Sequence, residues 1–473
     1  MEFKVSNNYT PEAIEAASAS LTNDNILEIS SQIRDVVDKL SIKQFLFVMG
    51  CLCKFGTHFE KNIDLVEHYL PLIESDLAKL EVENILYGSF LKGKYETEEC
   101  YNSYFEIFSK HDKYQDKNIT CGAVDNSIWF FTHTPVFLAH TNAMFKLLES
   151  ENDYNVKIKI ASLSHDDKYE KKCNDLGAEF ICLSGNNTTE RYGSLINQSK
   201  NALALVWNGA PVHLDYVSKR SDNVVWWTHR FHPKFERVKL RISSKPAENA
   251  RPIYFGAQWN YFHCGFELKN WNKTPHWQDR KYNFGSFCRE TLIDDEKHWQ
   301  NVRAVLSLNE KLIYNYAGRT IIHDHWCEKL NIDKKRVNFL GWLASPETKI
   351  MDMAFLLDGN VLGQGVMAME AVAGKIPVIH PNGTPGFYSS FMNDVAFRSA
   401  EKKVLQKVGF LVFHNQEELC SIVDMLLDQA VNSELGQILH KIFSERARNV
   451  GTFGQFCGLI KNEQPHLSLP DQK

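Results

Sequence analysis

The stretch GQGVMAMEAVAGKIPVIH, residues 363–380, gives the strongest indication of fold in this chain. Its pattern predicts a glycine-rich turn, a short helix that stops at Gly374, and a buried strand. Gly363 and Gly365 allow a ligand to approach the backbone closely. The unpaired N–H groups at the helix start suit a diphosphate, and Glu370, about one and a half turns further on, can accept a hydrogen bond from a ribose or sugar hydroxyl. An ordinary βαβ unit, whose glycines only permit tight turns, explains the same stretch.

Alternating strands and helices surround this stretch on both sides, which predicts two successive α/β units. Continuous apolar strands of this kind are typical of parallel sheets covered on both faces. The first unit has predicted strands at 127–132, 156–163, 179–183, 203–207 and 224–228. The second has predicted strands at 282–287, 311–316, 337–340, 353–357 and 377–380, with helices at 295–306, 321–330, 366–373, 416–430 and 433–447.

The first 120 residues follow a helical pattern, with few glycines and prolines and with apolar residues at three- and four-residue steps. Ser41 is a predicted N-cap in this part. The aromatic-rich, irregular tract 234–283 contains the predicted crossover between the two α/β units. The predicted domains are therefore 1–120, 121–270 and 271–473. The helical domain is also a plausible surface for a partner or for an oligomer.

Composition excludes several functional classes. A net charge of −5 over 473 residues argues against a general nucleic-acid binder, and no apolar run reaches the roughly 18 residues that a membrane span needs. The N-terminus shows no secretory signal pattern, which predicts a cytoplasmic protein whose 11 scattered cysteines are reduced. No cysteine spacing predicts zinc. The acidic pairs at 166–167 and 294–295 are interpreted as helix caps, although paired carboxylates can also hold a divalent ion.

Four segments, in order, resemble the donor-binding half of GT-B glycosyltransferases. They are FGSFCRETLIDDEKHWQNV (284–302), LIYNYAGR (312–319), RVNFLGWL (336–343), and MDMAFLLDG (351–359) with the glycine-rich stretch after it. The resemblance spans roughly residues 280–400. It implies an α/β protein with two facing Rossmann-like domains, preceded here by an all-α N-terminal domain. The pattern is also similar to that of cytoplasmic protein-modifying N- and O-glycosyltransferases.

The resemblance also implies a set of donor-binding residues. An arginine and a helix N-terminus commonly replace the metal ion in this family, so no metal or other cofactor is expected. Gly341 and Trp342 are expected near the nucleobase, and Glu370 near the ribose. The residues expected near the diphosphate are Gly285, Ser286, Arg289, Gln364, Gly365 and Val366.

The first α/β unit is expected to supply the acceptor site and a catalytic base. Candidates follow predicted strands, because parallel sheets bind ligands outside their carboxyl ends. They are His133, His229 and Asp215. Histidine titrates near neutral pH and therefore suits the role of a base. Each of these histidines also fits a purely structural role beside apolar residues.

The predicted function is transfer of a hexosyl or N-acetylhexosaminyl group from a nucleotide-diphosphate sugar, such as a UDP-sugar, to a protein or glycan acceptor. Many retaining members carry two glutamates eight positions apart, whereas Leu362 stands eight positions before Glu370 here. The stereochemistry is therefore open. Two other hypotheses fit the same fold: a nucleotide-sugar epimerase and a non-catalytic GT-B partner subunit.

Overall fold

The chain divides into two compact units. The computed structural model describes residues 39–52, 69–92, 125–150, 156–229, 235–244, 253–262, 268–288, 290–360, 365–384, 411–448 and 451–463, apart from single residues within these ranges, and a few isolated residues elsewhere. Contacts group residues 1–93, 101–264 and 451–473 as unit 1, and residues 94–100 and 265–450 as unit 2. The three-domain division stays a prediction.

Unit 1 is built on a parallel sheet. Its strands are β1 (Asp125–Thr132), β2 (Lys157–Ser162), β3 (Glu179–Cys182), β4 (Ala202–Asn208), β5 (Val224–Thr228), β6 (Leu240–Ser243), β7 (Ile253–Tyr254), β8 (Ala257–Gln258) and β9 (Asn260–Tyr261). Within the described residues, seven of them pair in the order β3-β2-β1-β4-β5-β6-β9, while β7 and β8 form an antiparallel pair. Every residue of β4 and β5 is buried, because these runs of β-branched, aromatic and other apolar residues are covered on both faces.

Helices surround this sheet and precede it. They are α1 (Ile42–Leu52), α2 (Asp76–Lys92), α3 (Ala139–Leu148), α4 (Asp167–Asp175), α5 (Thr188–Ser199) and α6 (Leu214–Ser218). Ser41 caps α1 as predicted: the Gln44 backbone N–H donates to its Oγ at 3.3 Å, and the Ser41 N–H donates to Gln44 Oε1 at 3.1 Å. The predicted helical character of the N-terminal region is thus found in α1 and α2.

Unit 2 is built on a second parallel sheet. Its strands are β10 (Asn283–Phe287), β11 (Ile313–Ala317), β12 (Val337–Phe339), β13 (Phe355–Leu357), β14 (Val378–Pro381) and β15 (Val412–Phe413). Over the described residues they pair in the order β12-β11-β10-β13-β14-β15. Two parallel sheets with helical connections confirm the predicted α/β class.

The helices of unit 2 enclose one hydrophobic core around this sheet. They are α7 (Trp277–Arg280), α8 (Glu296–Leu308), α9 (His323–Leu330), α10 (Pro346–Ile350), α11 (Val366–Ala373), α12 (Gln416–Leu426) and α13 (Gln429–Arg448). The bounds of α11 match the prediction, and Gly374 ends it as expected.

The last described helix, α14 (Phe453–Glu463), belongs to unit 1 although unit 2 precedes it in the chain. The Phe456 ring packs against those of Phe130, Trp227 and Phe262, with ring centroids 5.4–6.0 Å apart. Unit 1 is therefore assembled from parts of the chain that lie on both sides of residues 265–450. No helix in the described parts of the chain combines the length and apolar character that a membrane crossing requires.

Candidate functional site

Each sheet has one place where its strand order reverses. In unit 1 the chain builds β1, β2 and β3 outward on one side and then places β4 on the other side of β1. In unit 2 the same reversal separates β10 from β13. Ligands of open parallel sheets bind outside the carboxyl ends of the strands at such a switch point. The two switch points are therefore the candidate sites, and each is described within its own unit.

At the switch point of unit 2, a buried hydrogen-bond network joins the loops after β13 and β14. Asp358 is fully buried, and one of its carboxylate oxygens lies 2.8 Å from His380 Nδ1. His380 Nε2 lies 3.0 Å from the Thr384 carbonyl oxygen. The Thr384 hydroxyl donates to the Asn360 carbonyl at 2.9 Å, which closes the network. Because a carbonyl can only accept, Nε2 carries a proton, and a second proton is shared between Nδ1 and the Asp358 carboxylate.

Helix α11 follows this network and starts without a side-chain cap. Its N-cap residue, Gly365, has φ 59° and ψ −120°, a conformation that L side chains rarely adopt. A Cβ placed on Gly365 would meet no described atom within 4 Å, so conformation rather than crowding requires the glycine. The first-turn N–H groups, beginning near Val366, have no side-chain acceptor within the described residues. Gln364 lies outside the described residues.

Glu370, on α11, is buried and supports the backbone that enters unit 2. Its carboxylate accepts from the Lys269 N–H at 2.9 and 3.1 Å and from the Asn270 N–H at 3.1 Å. Burial raises the pKa of Glu370, and these backbone bonds oppose that shift. A carboxylate has about four acceptor positions, of which these bonds occupy most. A ribose contact for Glu370 stays a prediction, and its visible contacts are structural.

Gly285 and Ser286 lie inside β10, where packing accounts for both. A Cβ on Gly285 would lie 2.5 Å from the Asn315 carbonyl oxygen, so close strand packing needs the glycine. The buried Ser286 hydroxyl donates to the Leu357 carbonyl at 2.6 Å and ties β10 to β13. Their predicted contact with a diphosphate stays a prediction. Arg289 lies outside the described residues.

Gly341 and Trp342 follow β12 at the same edge of the sheet. Gly341 has φ 69° and accepts a hydrogen bond from the Gly318 N–H at 3.1 Å. The Trp342 side chain is unusually open, with 68% of the residue exposed. The Arg319 guanidinium lies over the Trp342 ring at 4.8 Å. An exposed aromatic face beside a guanidinium can stack a flat ring and attract an anion.

His298 was not predicted from the sequence, yet it lies near the same switch point. It is fully buried on α8, and its Nε2 lies 2.9 Å from the Tyr314 hydroxyl. Its Nδ1 has no hydrogen-bond partner among the described residues. Burial lowers the pKa of His298 to about 3, although the negative charge of Asp358 acts in the opposite direction. The ring is therefore neutral over the physiological range.

At the switch point of unit 1, His133 follows β1 directly. The residue is half-buried, but its Nε2 is buried and has no hydrogen-bond partner in the described part of the chain. The ring also bonds the Val212 backbone, so Nδ1 must be the donor and Nε2 retains a lone pair. Burial, with contributions from His213 and His140, lowers the pKa of His133 to about 3. A neutral imidazole thus stands at this edge with one open acceptor.

The loop after β4 supplies that Val212 contact. It starts at Gly209, which has φ 110° and whose carbonyl accepts from the Trp226 indole N–H at 2.9 Å. It ends at His213, a non-glycine residue at φ 62°. The His213 ring is 5.8 Å from the His133 ring, centroid to centroid. Two unusual backbone conformations therefore frame the residue that orients His133.

The other two predicted catalytic residues lie further along unit 1. Asp215 is buried on α6, where a carboxylate oxygen lies 3.7 Å from Lys219 Nζ. His229 follows β5 and is half-buried. Of the three candidates, His133 lies directly at the switch point, and catalytic roles for all three stay predictions.

Two interpretations of acidic residues as helix caps are confirmed. Asp166 accepts from the Tyr169 N–H at 2.8 Å, and Asp295 accepts from the His298 N–H at 3.0 Å. Next to the first of these caps, the described residues include a group of three, His165, Asp167 and Glu170, whose possible ligand atoms lie within 4.8 Å of one another. These side chains are largely exposed, and His165 Nε2 is already paired with Glu170 at 2.8 Å.

Neither a protein-family model nor a curated protein sequence matches this chain. Among solved structures, a mutant of Thermobaculum terrenum O-GlcNAc transferase is similar with a TM-score of 0.59 and 14% identity, over 97% of this chain and 90% of that chain. The crystal structure of TarM is similar with a TM-score of 0.50 and 10% identity, over 71% of this chain and 98% of that chain. The chain has the GT-B fold. The two switch points are thus those of the two Rossmann-like sheets of a GT-B protein.

Proposed function

We propose that this GT-B protein is a glycosyltransferase that moves a hexosyl or N-acetylhexosaminyl group from a nucleotide-diphosphate sugar to a protein or glycan acceptor. The observation that supports this most strongly is the start of α11 at Gly365, which has no side-chain cap among the described residues and comes directly after the switch point of unit 2. Unpaired N–H groups and the positive end of a helix bind phosphate well. The GT-B fold supports the same proposal.

The donor is proposed to lie along the carboxyl edge of the unit 2 sheet. Its diphosphate faces the first turn of α11 and Arg289, and its base stacks on the exposed face of Trp342 with Arg319 beside it. Backbone N–H groups and guanidinium groups neutralise phosphate charge, so the proposal needs no metal ion. Glu370 is proposed to reach the ribose with the acceptor capacity that its backbone bonds leave.

The acceptor is proposed to bind at the carboxyl edge of the unit 1 sheet, beside His133. The lone pair on Nε2 accepts a hydrogen bond from the attacking hydroxyl or amide group. Its low pKa makes His133 a weak base in the empty protein. A negatively charged substrate nearby raises the pKa of a histidine and strengthens it as a base.

A donor screen tests the proposal. Binding and nucleoside diphosphate release are measured with UDP-, GDP- and ADP-sugars, with and without cell extract as a source of acceptors. We expect one nucleotide class to bind, and Arg289→Ala and Glu370→Ala each to weaken it by about 1.5–3 kcal/mol, or roughly 10- to 150-fold. Arg303→Ala, which removes an exposed arginine on α8, is the matched control and should bind as wild type does.

Three results would count against this proposal. Failure of the wild-type protein to bind any of these nucleotides removes the donor site altogether. Wild-type affinity in both the Arg289 and Glu370 variants shows that the donor binds elsewhere. An epimerised sugar that appears without any acceptor points to the epimerase hypothesis instead.

A further inference from the structure

His213 has a backbone conformation that needs support. Its φ of 62° lies in the left-handed region, which costs a residue with a side chain on the order of 1–2 kcal/mol. The residue is fully buried, so its polar groups must also find partners within the protein. Both requirements are met by one helix of the N-terminal region and one tyrosine.

Helix α2 provides two of those partners. The buried carboxylate of Glu83 accepts from the His213 backbone N–H at 2.9 Å, across 130 residues of sequence. The Leu80 carbonyl oxygen lies 2.9 Å from His213 Nε2, and because a carbonyl only accepts, Nε2 carries the proton. One turn of α2 therefore hydrogen-bonds both the backbone and the ring of His213.

Tyr192 supplies the third partner and completes the assignment of the ring. Its hydroxyl lies 2.7 Å from His213 Nδ1. Burial raises the pKa of Tyr192 well above its usual value, so the hydroxyl keeps its proton and donates it to Nδ1. A neutral His213 with its proton on Nε2 satisfies every one of these bonds.

Glu83 is itself held in place from the other side. Its second carboxylate oxygen accepts from the Tyr114 hydroxyl at 3.0 Å. Burial, together with the negative charge of Glu83, raises the pKa of Tyr114 well above its usual value, so this donor also keeps its proton. The Lys219 ammonium donates to the Tyr114 carbonyl at 3.0 Å. A single carboxylate thus serves as a fixed junction between α2 and the loop after β4.

The same loop is the one that orients His133. Val212, whose backbone bonds the His133 ring, immediately precedes His213. The two rings are 5.8 Å apart. Any change in the backbone of His213 therefore moves the acceptor that fixes Nδ1 of His133, and with it the direction of the open Nε2 lone pair.

We propose that helix α2 positions His133, with Glu83 and His213 as positioning residues that act through the Val212 carbonyl. The consequence of this positioning for catalysis rests on the proposed function, whereas the placement of the His133 ring by α2 does not. The N-terminal helical region is on this account a built-in part of the acceptor-side site. Substrates or proteins that shift α2 would also shift His133.

Variants of α2 test this proposal in the full-length protein. Glu83→Ala removes the junction, and Glu83→Gln keeps an oxygen that can accept from the His213 N–H. Asp76→Ala is the matched control, because it breaks another contact of α2, the 2.8 Å ion pair with Arg220, and leaves His213 untouched. Tyr192→Phe removes only the hydroxyl that donates to His213 Nδ1, and it serves if Glu83→Ala fails to fold.

The first measurement follows the His133 ring by NMR of protein labelled at histidine Cε1, with the signal assigned from a His133→Asn variant. We expect no titration of His133 between pH 8 and 5 in wild type, Glu83→Gln and Asp76→Ala. In Glu83→Ala the midpoint should rise from about 3 to 5 or above, so that the titration enters this range, because a displaced loop admits water, and Tyr192→Phe should shift it in the same direction. An unchanged His133 signal in a folded Glu83→Ala or Tyr192→Phe protein overturns the proposal.

The second measurement separates this proposal from the proposed function. With the donor that the screen identifies, Glu83→Ala should lower kcat on the order of 100-fold and leave the donor Kd unchanged. Glu83→Gln should retain most of the wild-type kcat. An equal loss of activity in Asp76→Ala overturns positioning by Glu83. If the wild-type protein binds no donor, the proposed function fails, and the NMR result still decides whether α2 positions His133.

Discussion

The two units share one topology and differ in the chemistry at the point where their strand order reverses. Unit 1 places a neutral imidazole there, His133, with a buried nitrogen that has no partner in the described residues. Unit 2 places a hydrogen-bonded pair there, Asp358 with His380. The helix that follows this pair starts without a side-chain cap among the described residues. As far as the described residues show, the first arrangement leaves an acceptor open and the second leaves N–H donors open. The same sheet can therefore serve proton transfer in one unit and anion binding in the other.

The largest effect that distinguishes the units is expected from Asp358→Ala. It leaves His380 Nδ1 buried without its partner, and breaking a buried ion pair from one side costs about 3–5 kcal/mol. Chemical denaturation should show this loss, and hydrogen exchange should locate it in unit 2. Asp352→Ala, which removes an exposed carboxylate of the same unit, is the control and should change stability by less than about 1 kcal/mol. A loss spread equally over both units would contradict a role confined to the unit 2 loops.

Low pH should have the opposite effect to Asp358→Ala and should destabilise unit 1 more than unit 2. The pKa values of His133 (about 3) and His140 (about 4) are lowered in unit 1, and that of His298 (about 3) in unit 2. Because these values lie below the ordinary 6.5, the unfolded chain takes up protons that the folded state refuses. Stability is therefore complete above pH 6.5 and falls as the pH is lowered. At pH 5 each histidine should lower the free energy of unfolding by about 2 kcal/mol, and unit 1 contains two of them.

Hydrogen exchange measured by mass spectrometry at pH 6.5 and 5.0, corrected for the intrinsic rate, reports each unit separately. We expect the loss of protection to be greater in unit 1 than in unit 2. His140→Gln should reduce the loss of unit 1 by about half and bring it level with that of unit 2, since one of its two histidines no longer titrates. Equal losses in the two units, or no dependence on pH, would show that these rings are accessible to protons in the folded state.

The smallest of the three effects concerns donor binding alone. Gly365→Ala forces a side chain into φ 59°, ψ −120°, which costs about 1–3 kcal/mol, so the start of α11 should shift and donor affinity should fall roughly 5- to 150-fold. Gly193→Ala is the matched control, because Gly193 lies within α5 of unit 1 with open space around it and an ordinary φ. Calorimetric titration measures both. Unchanged affinity in Gly365→Ala would remove this helix start from the donor site.

The fold was predictable because its central strands are continuous apolar runs. The predicted bounds of β5 and α11 match the structure, since 224–228 is apolar throughout except for its last residue and 366–373 is followed by a glycine. Three short strands were missed: β6, β9 and β15 have two to four residues, too few to show a period, and the first two lie in the tract taken as irregular. Parallel pairing with the core, not local pattern, makes those residues strands.

The site was predictable only where a single residue type carries the signal. The backbone conformation at position 365 requires a glycine, and that glycine is visible in the sequence. Glu370 was expected to face a ligand, yet its carboxylate bonds backbone 100 and 101 residues away. The bond between Glu83 and His213 spans 130 residues. Contacts of that range depend on how helices pack on the sheet, and no local pattern encodes them.

The way unit 1 closes has a consequence for its biogenesis. The aromatic surface formed by Phe130, Trp227 and Phe262 is translated well before Phe456, because the whole of residues 265–450 comes between them. During translation the first sheet is therefore nearly complete while this aromatic surface is still uncovered, and the surface stays uncovered until the segment Phe453–Glu463 emerges from the ribosome. Truncation or proteolytic cleavage shortly before Phe453 would leave that aromatic surface exposed to solvent. The truncated protein would then be open to degradation by quality-control proteases.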